Sequence, residues 1–309
     1  RDGGNTWTVR QASPATDNGK HSPLDGCTIR TDSHGNAYVF GIATLASASK
    51  QPFEFMVKST NGGVTWGSPV AVAGPIHQPG ELDVTQGRLT EDGVAGARND
   101  LSVGPSIDIA NGAPTGTDAT DRIVMAYVDG TTAQPHVEFT ESADGGSTWS
   151  AARHIETTSS DHGFYAAPAI SPNGTDVYVV YNAFTTPYRD NTSDPREMLA
   201  VVLHADVTGG ATGPFSEIHR SPGGDPRGSS ANDLTDEFLG DYVYAAATRT
   251  YGAAVWNDVR NAVDCPAIDA WRMSLVDGTT VPRPAPESDC PAGFGNSDIY
   301  GGTYADPTP

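Results

Sequence analysis

One short stretch limits what this chain can fold into more than any other. Ser142-Ala143-Asp144-Gly145-Gly146-Ser147-Thr148-Trp149 reads as a tight turn between two strands. Two glycines supply positive φ angles, the acid accepts backbone N–H groups across the turn, and the tryptophan leaves it to be buried. The pattern recurs at Asp2-Gly3-Gly4-Asn5-Thr6-Trp7 and at Ser59-Thr60-Asn61-Gly62-Gly63-Val64-Thr65-Trp66, where Asn61 takes the place of the acid. Three copies, each at a strand-to-strand junction, indicate an internal repeat and a chain built of strand units.

The intervals between the copies agree. Runs rich in β-branched and aromatic residues, such as Asn36–Ala43, Arg122–Val128, Asp176–Tyr181 and Gly252–Arg260, alternate with Gly, Pro, Asn and Asp turns. Four units follow, at about residues 25–74, 101–156, 162–220 and 237–285. In the last, Ala270–Leu275 reads as the third strand and Asp277-Gly278-Thr279-Thr280 as a reduced turn. Phe294–Tyr304 reads as one more strand, expected to pair with the unit begun at Arg1. No helix is expected beyond one short turn within 229–239. A single all-β domain over residues 1–309 follows, lacking part of its first unit, because the chain begins inside a copy of the turn.

Composition narrows the function. The net charge is −20, with 15 arginines and 3 lysines, which argues against nucleic acid as a partner, since a phosphate-binding face needs a basic excess. No run approaches the roughly 18 apolar residues of a membrane span. Cys265 and Cys290 share the context Asp-Cys-Pro and are expected to form a disulfide in a secreted protein, leaving Cys27 free or paired upstream of Arg1. No Cys-x-x-Cys or His-x-x-x-His spacing marks a zinc site. No cofactor is expected, although the acidic loops leave room for a structural calcium ion.

The turn pattern, Ser-x-Asp-x-Gly-x-Thr-Trp, resembles the Asp-box of sialidases and related bacterial-neuraminidase-repeat propellers, and Trp256-Asn257-Asp258-Val259-Arg260 resembles strings in their actinobacterial members. The resemblance implies a β-propeller of four-stranded blades, five or six in number, with Asp-boxes on the outer turns. It also implies a central funnel where the first strand of every blade converges. The positions at that funnel are Asp25, Arg98, Asn99, Asp100, His162, Tyr165, Glu237, Asp241 and Tyr242.

Sialidases clamp the substrate carboxylate with three arginines, attack with a Tyr–Glu pair and use an aspartate as acid/base. On that template Tyr242 with Glu237 is the nucleophile pair, Asp241 and Asp100 are the further catalytic carboxylates, and Arg98, Arg227 and Arg260 are the clamp. Asp25, Tyr165, His162 and Asp258 would contact the sugar. The family's Arg-Ile-Pro string is absent. Two functions are expected from this reading: a secreted glycoside hydrolase of the exo-sialidase type, or a non-catalytic propeller binding a glycan or a protein in an extracellular assembly. The hydrolase requires paired carboxylates about 5–10 Å apart.

Overall fold

The computed structural model describes residues 4–13, 19–83, 88–90, 103–229, 234, 239 and 242–308, without the side chains of Glu81, Asp83 and Arg88. Arg98, Asn99, Asp100, Glu237 and Asp241 lie outside the described residues, as does most of the short helical turn expected within 229–239.

Four antiparallel sheets follow one another along the chain. The first has β1 (Asp25–Thr31), β2 (Ala37–Leu45), β3 (Gln51–Ser59) and β4 (Val70–Ala73) in that order. A small hairpin, β5 (Glu81–Asp83) and β6 (Arg88–Thr90), precedes the second sheet of β7 (Ser106–Ile109), β8 (Ile123–Thr131), β9 (Gln134–Ser142) and β10 (Arg153–His154). The third contains β11 (His162–Ile170), β12 (Asp176–Phe184) and β13 (Met198–Thr208), with β14 (Ala211–Thr212) and β15 (Ser216–Arg220) both paired to β13. The fourth begins with β16 (Tyr244–Ala247) and β17 (Tyr251–Asp258).

The sheets pack face to face in sequence. Tyr38, Phe40 and Met56 of the first meet Ile107, Ile123 and Met125 of the second. Val124, Val137 and Phe139 of the second meet Val177, Val179 and Tyr181 of the third. Phe164, Val180 and Met198 of the third meet Ala254, Trp256 and Val259 of the fourth. A strand between two such layers buries both faces, and all nine residues of β12 are buried. This is why Val177–Tyr181 is a run of Val and Tyr rather than an alternation with polar residues.

The first strands of the sheets are neighbours in turn: β1 lies beside β7, β7 beside β11 and β11 beside β16. The repeated turns lie away from these strands. In the turn between β9 and β10, Ser142 Oγ donates to Asp144 Oδ1 (2.9 Å) and accepts from Gly146 N (2.9 Å). Asp144 also accepts from Thr148 N and Thr148 Oγ1 at 2.8 and 2.7 Å. Hydrogen bonds from Thr148 hold the Asp144 carboxyl down at about 2. The turn after β3 repeats the pattern, with Gly63 N donating to Ser59 Oγ (2.9 Å) and Thr65 N to Asn61 Oδ1 (2.9 Å).

These turns also reach the preceding sheet. Gly145 O accepts from Lys58 Nζ at 3.0 Å, and a Cβ on Gly146 would meet the Met56 sulfur at 2.5 Å. One sheet further on, Gly210 O accepts from Arg122 Nη2 at 2.6 Å, and Thr212 Oγ1 donates to Glu141 Oε2 at 2.6 Å.

Four expectations are corrected. The copy at Trp7 is not followed by a strand among residues 4–12, and its indole is 87 % exposed. The stretch read as a third strand, Ala270–Leu275, lies in the helix α1 (Pro266–Asp277). Pro266 suits the first helical position, and Ile268 and Trp271 recur on one buried face. Gly278, read as part of a reduced turn, ends the helix at φ 67°. After a short second helix, α2 (Pro286–Asp289), the tail forms β18 (Asp298–Ala305), which pairs with β17 rather than with the start of the chain. The tail therefore supplies the third strand of its own sheet. The expected Cys265–Cys290 disulfide is present and ties α2 to the start of α1.

Candidate functional site

The first strands of the four sheets converge on a cleft of about 310 Å³. Cys27 and Thr28 enter it from β1, Ser106 from β7, Tyr165 from β11, and Tyr242 and Tyr244 from the approach to β16. The local backbone is built for this. β1 changes register between Asp25 and Thr28, with Gly26 at φ 59°, and β11 does the same between Phe164 and Ala167, with Tyr165 at φ 48°. A left-handed conformation is natural for glycine. It costs a tyrosine on the order of 1 kcal/mol or more, and the packed surroundings must impose it. Two inner strands therefore bulge at the same place, and both bulges face the cleft.

The described lining mixes apolar surface with hydroxyl groups and carries no charged side chain. Tyr242 and Tyr244 are 59 % and 61 % exposed, which leaves their phenols available to a ligand. Burial, with the nearby Asp25 charge, pushes the Cys27 thiol up. Asp25 is at the rim, where its Oδ1 accepts from Gly26 N at 2.8 Å.

Two residues beyond Thr28 and Ser106, on the same strand faces, Arg30 Nε stands 3.6 Å from Asp108 Oδ1. Asp108 Oδ2 accepts from Ile170 N at 3.0 Å, so this group ties three inner strands together. Burial raises the Asp108 pKa despite these partners. Asp108, Arg30 and Tyr244 were not singled out from the sequence. Asp108 shares the half-buried face of β7 with Ser106, opposite Ile107 and Ile109, so the local sequence carries no signal that separates it from an ordinary outward-facing acid.

Of the residues expected at the funnel, the structure brings together Tyr165 and Tyr242, with Asp25 next to the lining residue Gly26. Arg98, Asn99, Asp100, Glu237 and Asp241 lie outside the described residues, and the remaining candidates stand apart from the cleft. His162 begins β11 and lines a separate cleft of about 470 Å³ with Gln134, Ser160 and Tyr188. Burial lowers its pKa.

Arg260 does not reach the funnel: its Nε and Nη2 clasp Asp258 at 2.7 and 2.5 Å, and its guanidinium lies 4.0 Å from the Tyr300 ring centre. Burial opposes ionisation of Asp258, but hydrogen bonds from Arg260 and Trp256 outweigh it and hold the pKa down. Arg227 is buried among Asp225, Asp264 and Asp269 at 2.7, 3.1 and 2.6 Å. Its charge is consumed there, so the clamp expected of Arg227 and Arg260 is replaced by two structural ion-pair groups.

No protein-family profile matches the chain, and no curated protein matches it. Solved structures are similar at low identity. A protein of unknown function from Dyadobacter fermentans DSM 18053 is 14% identical with a TM-score of 0.42, over 83% of this chain and 57% of that one. A Hadza microbial sialidase is 12% identical with a TM-score of 0.34, over 82% of this chain and 55% of that one. A xylan β-1,4-xylosidase from Bacillus halodurans C-125 is 13% identical with a TM-score of 0.36, over 75% and 37%. This chain thus spans little more than half the length of the first two, and the likenesses are too distant to assign it to a family.

Proposed function

We propose that this chain is a carbohydrate-active β-propeller, with Asp-box turns on its outer rim, that receives the end of a saccharide in the central cleft. The observation that carries the reading is the pair of strand bulges that place Tyr165 and Gly26 on a cleft flanked by the exposed phenols of Tyr242 and Tyr244. Aromatic faces pack on the C–H faces of sugar rings, and phenol, threonine and serine hydroxyls exchange hydrogen bonds with sugar hydroxyls. The described lining holds no charged side chain, and the chain carries a net charge of −20. Both favour a neutral saccharide over sialic acid. A secreted setting fits the disulfide and the acidic surface.

Hydrolysis is the second reading, and Asp108 favours it. A carboxyl group with a raised pKa, two residues below the cleft floor, suits a general acid. The partner carboxylate would come from Asp25, Asp100, Glu237 or Asp241, with Tyr242 as nucleophile in the sialidase-type version. The test is calorimetric titration with neutral and sialylated oligosaccharides beside a panel of aryl glycosides. Binding of a neutral sugar, weakened at least tenfold in Tyr242→Phe, supports the first reading. Aryl release that disappears in Asp108→Asn adds catalysis. Failure of every saccharide to bind would remove both readings.

A further inference from the structure

On the outer strands of the second sheet the chain carries the same three-residue pattern twice: His136-Val137-Glu138 on β9 and His154-Ile155-Glu156 at β10. A strand sends alternate side chains to opposite faces. Val137 and Ile155 therefore point into the core, where both are buried. The two histidines and two glutamates stand on the other face. His154 pairs directly with Glu138 across the antiparallel ladder, which places Glu156 opposite His136. Sequence spacing could not show this set, because its halves are 18 residues apart and only the register joins them.

The four side chains form a tight patch. The two imidazole rings lie 4.4 Å apart, centre to centre. His154 Nδ1 is 2.6 Å from Glu138 Oε1, and His136 Nδ1 is 3.6 Å from Glu156 Oε1. One donor atom each from His136, His154 and Glu156 falls within 4.8 Å of the other two. The Glu156 side chain is only 5 % exposed. Its Oε1 accepts from Val137 N at 2.6 Å, but its Oε2 is buried with no hydrogen-bond partner among the described residues. A buried carboxylate oxygen with no hydrogen-bond partner, on a group whose other oxygen stands 3.6 Å from His136 Nδ1, lacks compensation for the water it has lost.

We propose that His136, His154 and Glu156 bind a divalent transition-metal ion of the zinc class, with Glu138 holding the His154 ring in position. Two imidazoles and a carboxylate are a common three-residue set for zinc, leaving the fourth position to water or a ligand. Donors about 2.0–2.2 Å from such an ion come closer together than they stand here, and small side-chain rotations close the difference. A carboxylate against a metal-bound imidazole fixes the ring and raises its basicity, which is the part Glu138 plays. The His154 side chain is 63 % exposed, so the site opens to solvent. It is built from outer strands and is independent of the saccharide reading of the central cleft.

The test is calorimetric titration of the full chain with zinc chloride alone, repeated on His154→Ala, Glu156→Gln and Glu138→Gln. Cobalt(II) absorption in the visible range reports coordination. The expected result is one zinc per chain at micromolar or tighter affinity and a cobalt spectrum of low-symmetry coordination. Both should weaken at least tenfold in His154→Ala and Glu156→Gln, and about 10–100-fold in Glu138→Gln. The exposed His154 can be replaced without disturbing the core, so that variant decides the matter if Glu156→Gln fails to fold. Absence of stoichiometric zinc binding would overturn the proposal. So would affinity unchanged in His154→Ala, which would place any zinc elsewhere, such as beside His204 with Asp176, Asp206 and Asp306.

Discussion

The corner beneath α1 and the central cleft handle polar groups in opposite ways. At the corner, Arg227 sits among three aspartates, and the fully buried Arg272 donates to the carbonyls of Leu234, Arg227 and Ser229. Burial pushes the Asp269 carboxyl up against the opposing charge of Arg227, whose Nη1 is 2.6 Å from Asp269 Oδ2. Charges, a disulfide and a helix are used to close one corner of an otherwise all-β molecule. At the cleft the backbone is bent out of its preferred region and two phenols remain exposed. Charge closes the corner, whereas the described lining of the cleft carries no charged side chain.

Breaking the corner should have the largest effect. Arg227→Ala would leave Asp225, Asp264 and Asp269 clustered without their cation, and a loss of about 3–5 kcal/mol is expected in chemical denaturation. If the variant instead retains wild-type stability and loses saccharide binding, Arg227 belongs to a clamp after all. Opening the disulfide, which closes a loop with a sequence separation of 25, should cost about 2–4 kcal/mol. Thermal melts of Cys290→Ser with and without reductant check this, since reductant should then have no further effect.

Changes in the cleft should separate stability from binding. Tyr242→Phe and Tyr244→Phe are expected to stay within about 0.5 kcal/mol of the parent in stability, as exposed positions usually do. Saccharide affinity should fall about tenfold in at least one of them, the value of one or two hydrogen bonds.

A subtler contrast is set by pH. Glu54, on β3, is wholly buried with both carboxyl oxygens unpartnered, and burial raises its pKa well above the usual carboxylate range. Because the folded value exceeds the unfolded one, its contribution is fully favourable below the unfolded pKa and is lost as pH rises toward the folded value. Glu54→Gln should remove that decline, which is up to about 1.4 kcal/mol per pH unit for one proton. Parallel stability–pH curves for the two proteins would show that Glu54 does not titrate in this way.

Much of the fold could be read from the chain because its strands carry strong signals. The β-branched run Asp176–Tyr181, the turn at Gly145-Gly146 and the shared context of the two cysteines each point one way. α1 was misread because Trp271–Leu275 alternates apolar and polar residues as a strand does, and only Pro266 and Gly278 betray helix ends. The cleft was legible at Tyr165 and Tyr242 because both stand where a first strand enters. Arg227 and Arg260 were not, since residue type does not show which acids an arginine meets. For Arg227 those acids lie at positions 225, 264 and 269, and the fold alone assembles them. Asp108 and the paired His-x-Glu patterns were hidden for the same reason, because their partners come from other strands.

The outer turns through Gly145 and Gly210 fasten the second sheet to the first and the third to the second. Coupling of this kind runs between nearest neighbours, so cooperativity passes along the chain link by link. Loosening one link, as in Lys58→Ala or Arg122→Ala, should lower hydrogen-exchange protection first in the two sheets it joins and leave distant ones protected.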